Sequence, residues 1–365
     1  MAPLVPRGNP HSLVWVVVEQ PYKTDIDKGF VFSGGYGYVF HKMMQDAGLQ
    51  DYYVISRRPD FEHTDTYTIV ESFANQYQPP IIIPLGNSLG FFCPETKRKV
   101  AAEQDADLEK YAGSLLTAHK FFNYPHYILS TLPPDVISGD WSLRDICTSL
   151  DLGKVRSELE YYKIHSALEP LPQRNLVCDF DKPGGFTRLL DWLRRFKSAK
   201  ILSVDIETVY PNKKSLYWPH PGYPITIGMA NSSKEGISFR LFRENKTETS
   251  ELWRVLNDLL CSSNILGQNF FDFDAPRLEK LGFSINYDNI TDTLIRHHIL
   301  WPELPHKLQF QTRQYTRQPY YKDDGHHWNL KDMEKLMRYN ALDCCITYEI
   351  WEAQEKEFDE RPYLR

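Results

Sequence analysis

Cysteine is scarce and scattered: six residues in 365, at Cys93, Cys147, Cys178, Cys261, Cys344 and Cys345, with no CxxC pair and no dense spacing. That pattern argues against a disulfide framework and a zinc ribbon, and points to reduced thiols in a cytoplasmic protein, in the host cytoplasm if the chain is viral. No stretch approaches the roughly 18 consecutive apolar residues that a membrane helix needs, and the run at 13–18 has the length of a buried strand. The basic-then-apolar opening of a secretory signal is also missing. Neither sign of charge dominates: 42 Lys and Arg against 48 Asp and Glu leave a net charge of -6. Such a total neither announces nor excludes nucleic-acid binding, because a carboxylate-rich site and a local basic strip can share one chain. A dinucleotide-binding glycine fingerprint is absent as well, since Gly34-Gly35 with Gly37 has the wrong spacing.

What is present is ordinary globular material, 42% hydrophobic, 14% aromatic and 25% charged, of a length that favours two domains. Within residues 1–9, Leu4-Val5-Pro6-Arg7-Gly8 resembles an expression-vector protease site and is set aside from fold reasoning. Residues 10–170 alternate strand-like runs at 13–18, 52–56 and 81–85 with a helical stretch at 38–47, which suggests an α/β layer. Loop chemistry between 170 and 185 marks a boundary, and 171–199 reads as a linker and a helix. In that helix Phe186, Leu189, Leu190, Leu193 and Phe196 take helical spacing, with Arg188, Arg194, Arg195 and Lys197 on a basic solvent face. Residues 200–365 give strands at 201–206, 225–230, 236–241 and 265–267, and helices around 252–259, 275–281, 292–299 and 331–358. The last is expected to bend or to meet a boundary near 339–341. The sum is a second α/β domain with a mixed sheet.

The chemistry concentrates in that second domain. Alternation along the first strand puts Asp205 and Glu207 on one face and Ile206 on the other. Two adjacent acids beside an apolar strand are costly unless a cation neutralises them, and hard oxygen donors suit magnesium or manganese. Asn269-Phe270-Phe271-Asp272-Phe273-Asp274 follows the short strand at 265–267, and Tyr339 and Asp343 stand four apart, on one face of a helix. Four carboxylates, Asp205, Glu207, Asp274 and Asp343, are the ligand inventory for two Mg2+ or Mn2+ ions bridging a phosphate. A phenol of ordinary pKa near 10 is a poor base, so Tyr339 is assigned to aim the attacking water.

In order, these residues resemble the proofreading 3′→5′ exonuclease domain of DNA polymerases, in the tyrosine subtype of the DEDD superfamily. Asp205-Ile206-Glu207 matches the first motif, Asn269 to Asp274 the second, and Tyr339 with Asp343 the third. The resemblance implies a ribonuclease H-like fold. Family variants space the second aspartate four or five residues after the asparagine, and the run from Phe273 to Leu278 selects Asp274 over Asp272. Asp292-Thr293-Leu294 and the residues after Asp343 lean towards phage-type family A polymerases, with Asp292 either supporting the site from behind or capping a helix. The resemblance also implies that Asn269 contacts the substrate terminus, while Phe270 and Phe273 are candidates to stack on bases. Loops at 210–223 and 301–328 are unusual. The second mixes His306, Lys307, Arg313, Arg317, Lys322, His326 and His327 with Phe310, Tyr315, Tyr320 and Tyr321, the chemistry of a single-strand path or, alternatively, of a partner-binding or solvated surface.

More faintly, residues 10–170 follow the layout of the uracil-DNA glycosylase superfamily through Glu19-Gln20-Pro21, the glycine-rich 29–37, Arg57-Arg58-Pro59 and Ile83-Pro84-Leu85-Gly86-Asn87-Ser88. Its glycine-rich first loop has lost the glycines, and Leu132-Pro133-Pro134 stands where an imidazole belongs, so a degenerate, inactive version is expected. The functional expectation is 3′→5′ removal of nucleotides from a single-stranded DNA end, proofreading for a polymerase that is either a further segment or a separate subunit, with no membrane involved. The alternatives are a ribonuclease D-like RNA 3′ exonuclease and a non-catalytic polymerase accessory scaffold.

Overall fold

The computed structural model describes residues 4–19, 21–56, 67–96, 108–117, 122–209, 222–325 and 333–364. Arg57-Arg58-Pro59, most of the loop at 210–223, and His326, His327 and Trp328 therefore lie outside the described residues. The chain forms two compact units: Met1–Leu171 together with Arg317–Tyr320, and Pro172–Thr316 together with Tyr321–Arg365.

Short β-branched runs build the sheet of the first unit: β1 (Val14–Val18), β2 (Tyr53–Ser56), β3 (Ile81–Leu85), β4 (Leu115–Leu116) and β5 (Tyr127–Leu129), in the order β2-β1-β3-β5-β4. β4 runs antiparallel to β5 and the other neighbours are parallel. Every residue of β1 is buried, as a parallel strand covered on both faces requires. Val14, Val16 and Val18 pack with Phe40, Met43 and Met44 of the helix Gly35–Asp46, while Trp15 and Val17 join Val70, Leu89 and Phe92 opposite. Leu4 is buried in this packing, Val5 bridges Phe30 and Arg7 bridges Val54. Arg317 also belongs here, its guanidinium donating at 2.6 and 2.9 Å to both oxygens of Glu158 on the helix Gly153–His165.

The second unit is an α/β fold on a six-stranded mixed sheet. Its strands are β6 (Asn175–Val177), β7 (Leu202–Val209), β8 (Tyr223–Ala230), β9 (Glu235–Arg240), β10 (Ile265–Gly267) and β11 (Ile290–Asp292), ordered β11-β10-β7-β8-β9-β6. β7, β8 and β9 form an antiparallel meander, with β10 and β11 parallel on one side and β6 parallel to β9 on the other. The segment read as linker thus supplies an edge strand, and the helix Gly185–Phe196 buries Leu189, Leu193 and Phe196 in the core.

The helix Met333–Glu360 runs across this sheet as one continuous element, with no boundary at 339–341. No Pro or Gly stands within it, and the polar Tyr339 and Asn340 use their side chains outside the helix ladder. Its close approach depends on two glycines. A Cβ on Gly228 would come 2.8 Å from the Asn340 carbonyl, and one on Gly236 would come 2.7 Å from the Cys345 sulfur. Among the described residues, no helix is long and apolar enough to cross a membrane.

Candidate metal centre

β7 carries Val204 and Ile206 into the core, so Asp205 and Glu207 emerge on the opposite face. Asp205 lies across from Gly228 and Glu207 across from Thr226, and the register shifts immediately beyond Glu207. Such a bulge bends the strand end and aims the side chain before it. The long helix brings Asp343 to the same place: carboxylate oxygens of Asp205, Glu207 and Asp343 all lie within 4.8 Å of one another. Asp274, the first residue of the helix Asp274–Lys280, is buried beside them and accepts the Ile206 amide at 3.0 Å, while Asp272 is exposed. Asp274 is not part of the 4.8 Å group, although the charges of Asp205 and Glu207 act on it.

Crowding acids in a buried place raises the cost of ionising each. Burial and then the Asp343 charge push Asp205 up to about 7. Burial, followed by the charge of Asp205, drives Glu207 and Asp274 well above the usual carboxylate range. Donors that are all hard oxygens, buried or half-buried together and carrying more negative charge than the Lys322 ammonium balances, fit a divalent cation such as Mg2+ or Mn2+. Asp205, Glu207 and Asp343 form an acidic triad suited to holding one.

Neighbouring side chains tie the acids down. Asn340 donates to Asp205 Oδ2 at 2.6 Å and to its carbonyl at 3.2 Å, while its own Oδ1 accepts from Ser238 at 2.8 Å. Lys322 Nζ donates to both oxygens of Asp343, at 2.8 and 2.6 Å, and to Tyr339 Oη at 3.0 Å. Tyr321 Oη donates to Asp343 Oδ1 as well. Burial first, then the charges of Asp343, Glu207 and Asp205, push the Tyr339 phenol far up, so its hydroxyl keeps its proton. The sequence reading assigned no role at the acids to Asn340, Tyr321 or Lys322. Asn340 shares a helix face with Asp343 at i, i+3 and was open to detection. Nothing in the local pattern of Tyr321-Lys322 announces where their loop turns.

Of the two alternatives for Asp292, the helix cap is what its hydrogen bonds show directly. Asp292 caps the helix Thr293–Leu300 through the Leu294 amide at 2.9 Å, and it accepts the amides of Asn269 at 2.9 Å and Phe270 at 2.7 Å. Those bonds hold Asn269 in the left-handed region, at φ 60°. Phe270 does not fit its assignment as a stacking residue. It is fully buried in the core against Gly267, where a Cβ would come 2.5 Å from its own. Phe273 is half-buried, with the Arg277 guanidinium 3.7 Å above its ring. In the basic and aromatic segment several groups are already engaged: His306 bonds His297 at 2.7 Å and His298 at 2.9 Å, and Lys322 faces the acids.

No protein-family model and no curated protein matches the chain. Solved structures do. The Nibbler EXO domain of Aedes aegypti is 15% identical, at a TM-score of 0.40, over 53% of this chain and 94% of that one. The catalytic core of RRP6 from Trypanosoma brucei is 14% identical, at 0.40, over 54% and 52%. Trypanosoma brucei RNase D is 12% identical, at 0.38, over 49% of this chain and 64% of that one. These similarities are partial, and the functional reading rests on the carboxylates.

Proposed function

We propose that the second unit is a metal-dependent 3′→5′ exonuclease of the DEDD type, tyrosine subtype, that hydrolyses the terminal phosphodiester of a nucleic-acid strand. The observation that carries this reading is the convergence of Asp205, Glu207 and Asp343 within 4.8 Å, with Asp274 buried beside them. Two divalent ions held by these four acids would supply an activated water and stabilise the departing 3′ oxygen. The protein's own groups do the rest. Glu207 and Asp205 present oxygens from a strand fixed by its ladder, and Asp343 presents them from a helix, so the donors keep their spacing without reorganisation. Tyr339, kept protonated, donates a hydrogen bond that aims the attacking water. Asn269, pinned by Asp292, and the exposed part of Phe273 hold the last nucleotide. Polarity rests on the ordered Asp-x-Glu, Asn-to-Asp and Tyr-x-x-x-Asp motifs.

The first unit is read as a scaffold. Leu132-Pro133-Pro134 offers no imidazole to stabilise a departing base. A polymerase, as a further segment or a separate subunit, is the partner that a DNA proofreading role would need. RNase D in complex with RNA U12 is among the matched structures, so RNA ends are tested beside DNA ends.

The deciding experiment incubates the full chain with 5′-labelled single-stranded DNA and RNA in Mg2+, Mn2+ or chelator. Stepwise shortening from the 3′ end, abolished by chelator and by Asp343→Asn, supports the reading, and the faster substrate names the sugar. No shortening of either strand in either metal would sink it.

A further inference from the structure

Lys322 stands where positive charge is needed. Its Nζ takes both oxygens of Asp343 and touches Tyr339 Oη, and its side chain is 15% exposed. The backbone beneath it is anchored. Tyr321, immediately before it, is buried with Ile346 and Ile350 of the long helix, while Lys322 opens the short turn Lys322–Gly325. A fixed Cα and a flexible four-carbon stem let the ammonium move without the loop moving.

A divalent ion ligated by either Asp343 oxygen would come within a few ångströms of Nζ, where like charges repel strongly. An ammonium that spans both Asp343 oxygens must give up at least the one that the metal takes. Resting on the exonuclease reading of this site, we propose that Lys322 is the resident counter-cation of the acid cluster and that metal binding is a cation exchange. The ammonium gives up Asp343 to the metal and stays beside Tyr339, positioned to meet the incoming phosphate. Tyr321 keeps its bond to Asp343 through the exchange, because a neutral hydroxyl does not compete with the metal.

Metal affinity without nucleic acid tests this. Mn2+ titrations of the full chain, followed by electron paramagnetic resonance, compare the native protein with Lys322→Met and Lys322→Arg. Removing the competing charge should tighten Mn2+ binding at least about fivefold in Lys322→Met, whereas Lys322→Arg, which keeps the charge, should stay within about twofold. Circular dichroism checks folding, and Lys322→Gln replaces the Met variant if that one fails to fold. Mn2+ affinity that is unchanged or weaker in the folded neutral variant overturns the exchange. The exonuclease reading fails separately: a native protein that binds Mn2+ with the predicted shift yet shortens neither strand leaves the exchange standing and removes the nuclease.

Discussion

Asp205 is the residue on which pH should act most visibly. In the metal-free fold it ionises at about 7, against an ordinary value of 3.8, because burial and Asp343 penalise its charge. A raised pKa means that the folded state holds a proton the unfolded chain releases, so this contribution to stability is full below about pH 4 and is lost as pH climbs through about 7. Glu207 and Asp274 shift in the same direction. In chelator the protein should therefore melt at a lower temperature at pH 8 than at pH 5, and Asp205→Asn should flatten that slope. Added Mn2+ should restore the melting temperature at pH 8. A native slope of the opposite sign would contradict the burial of these acids. Tyr339→Phe keeps the ring and removes the hydroxyl that aims the water. Turnover should fall by roughly 100-fold while the urea midpoint stays close to native, and an undiminished rate would remove Tyr339 from the chemistry. At this scale the sequence was informative for a physical reason: acids two apart on a strand, or a phenol and an acid four apart on a helix, declare a shared face through local periodicity. The neighbours that balance them, Lys322 and Tyr321, come from a loop whose path no period encodes.

Elements decide how closely those faces meet. The long helix reaches Asp205 because Gly228, directly across the ladder, has no side chain. Gly228→Ala would set a methyl 2.8 Å from the Asn340 carbonyl and 2.9 Å from its amide carbon, pushing away the side chain that holds Asp205. The expected cost is about 1 to 3 kcal/mol from overpacking, together with a loss of metal affinity, read from a urea curve and an Mn2+ titration. A variant as stable and as tight as native would show that the helix tolerates retreat. Asp292 works at the junction of β11 and the helix that follows. Asp292→Ala removes a cap and the acceptor for the Asn269 and Phe270 amides, and should cost roughly 2 to 4 kcal/mol. Its effect on activity should exceed its effect on metal affinity, because the acids lie on other elements. The existence of β7, β8 and β9 was readable from apolar runs, although β7 continues to Val209 and β8 begins at Tyr223. β6 and β11 were not, since three-residue strands carry too little pattern to separate from loop.

At the scale of the whole molecule, the order of the chain and the order of packing differ. Arg317–Tyr320 belong by sequence to the second half and by packing to the first unit, where Arg317 is paired with the buried Glu158. Arg317→Ala leaves that carboxylate without its partner and should destabilise the first unit by roughly 3 kcal/mol, seen as faster amide exchange in the helix Gly153–His165. Exchange there at the native rate would show that the pair contributes nothing. The sequence by itself determined two α/β domains, the strand and helix that carry Asp205, Glu207 and Asp343, and the need for a cation beside them, because alternation, helical spacing and the cost of adjacent carboxylates are local physics. Tertiary structure alone decided that residues 4–7 pack, that Phe270 is core, and that Tyr321 and Lys322 meet the acids. Those outcomes depend on contacts between segments far apart in the chain, and such contacts leave no local signature.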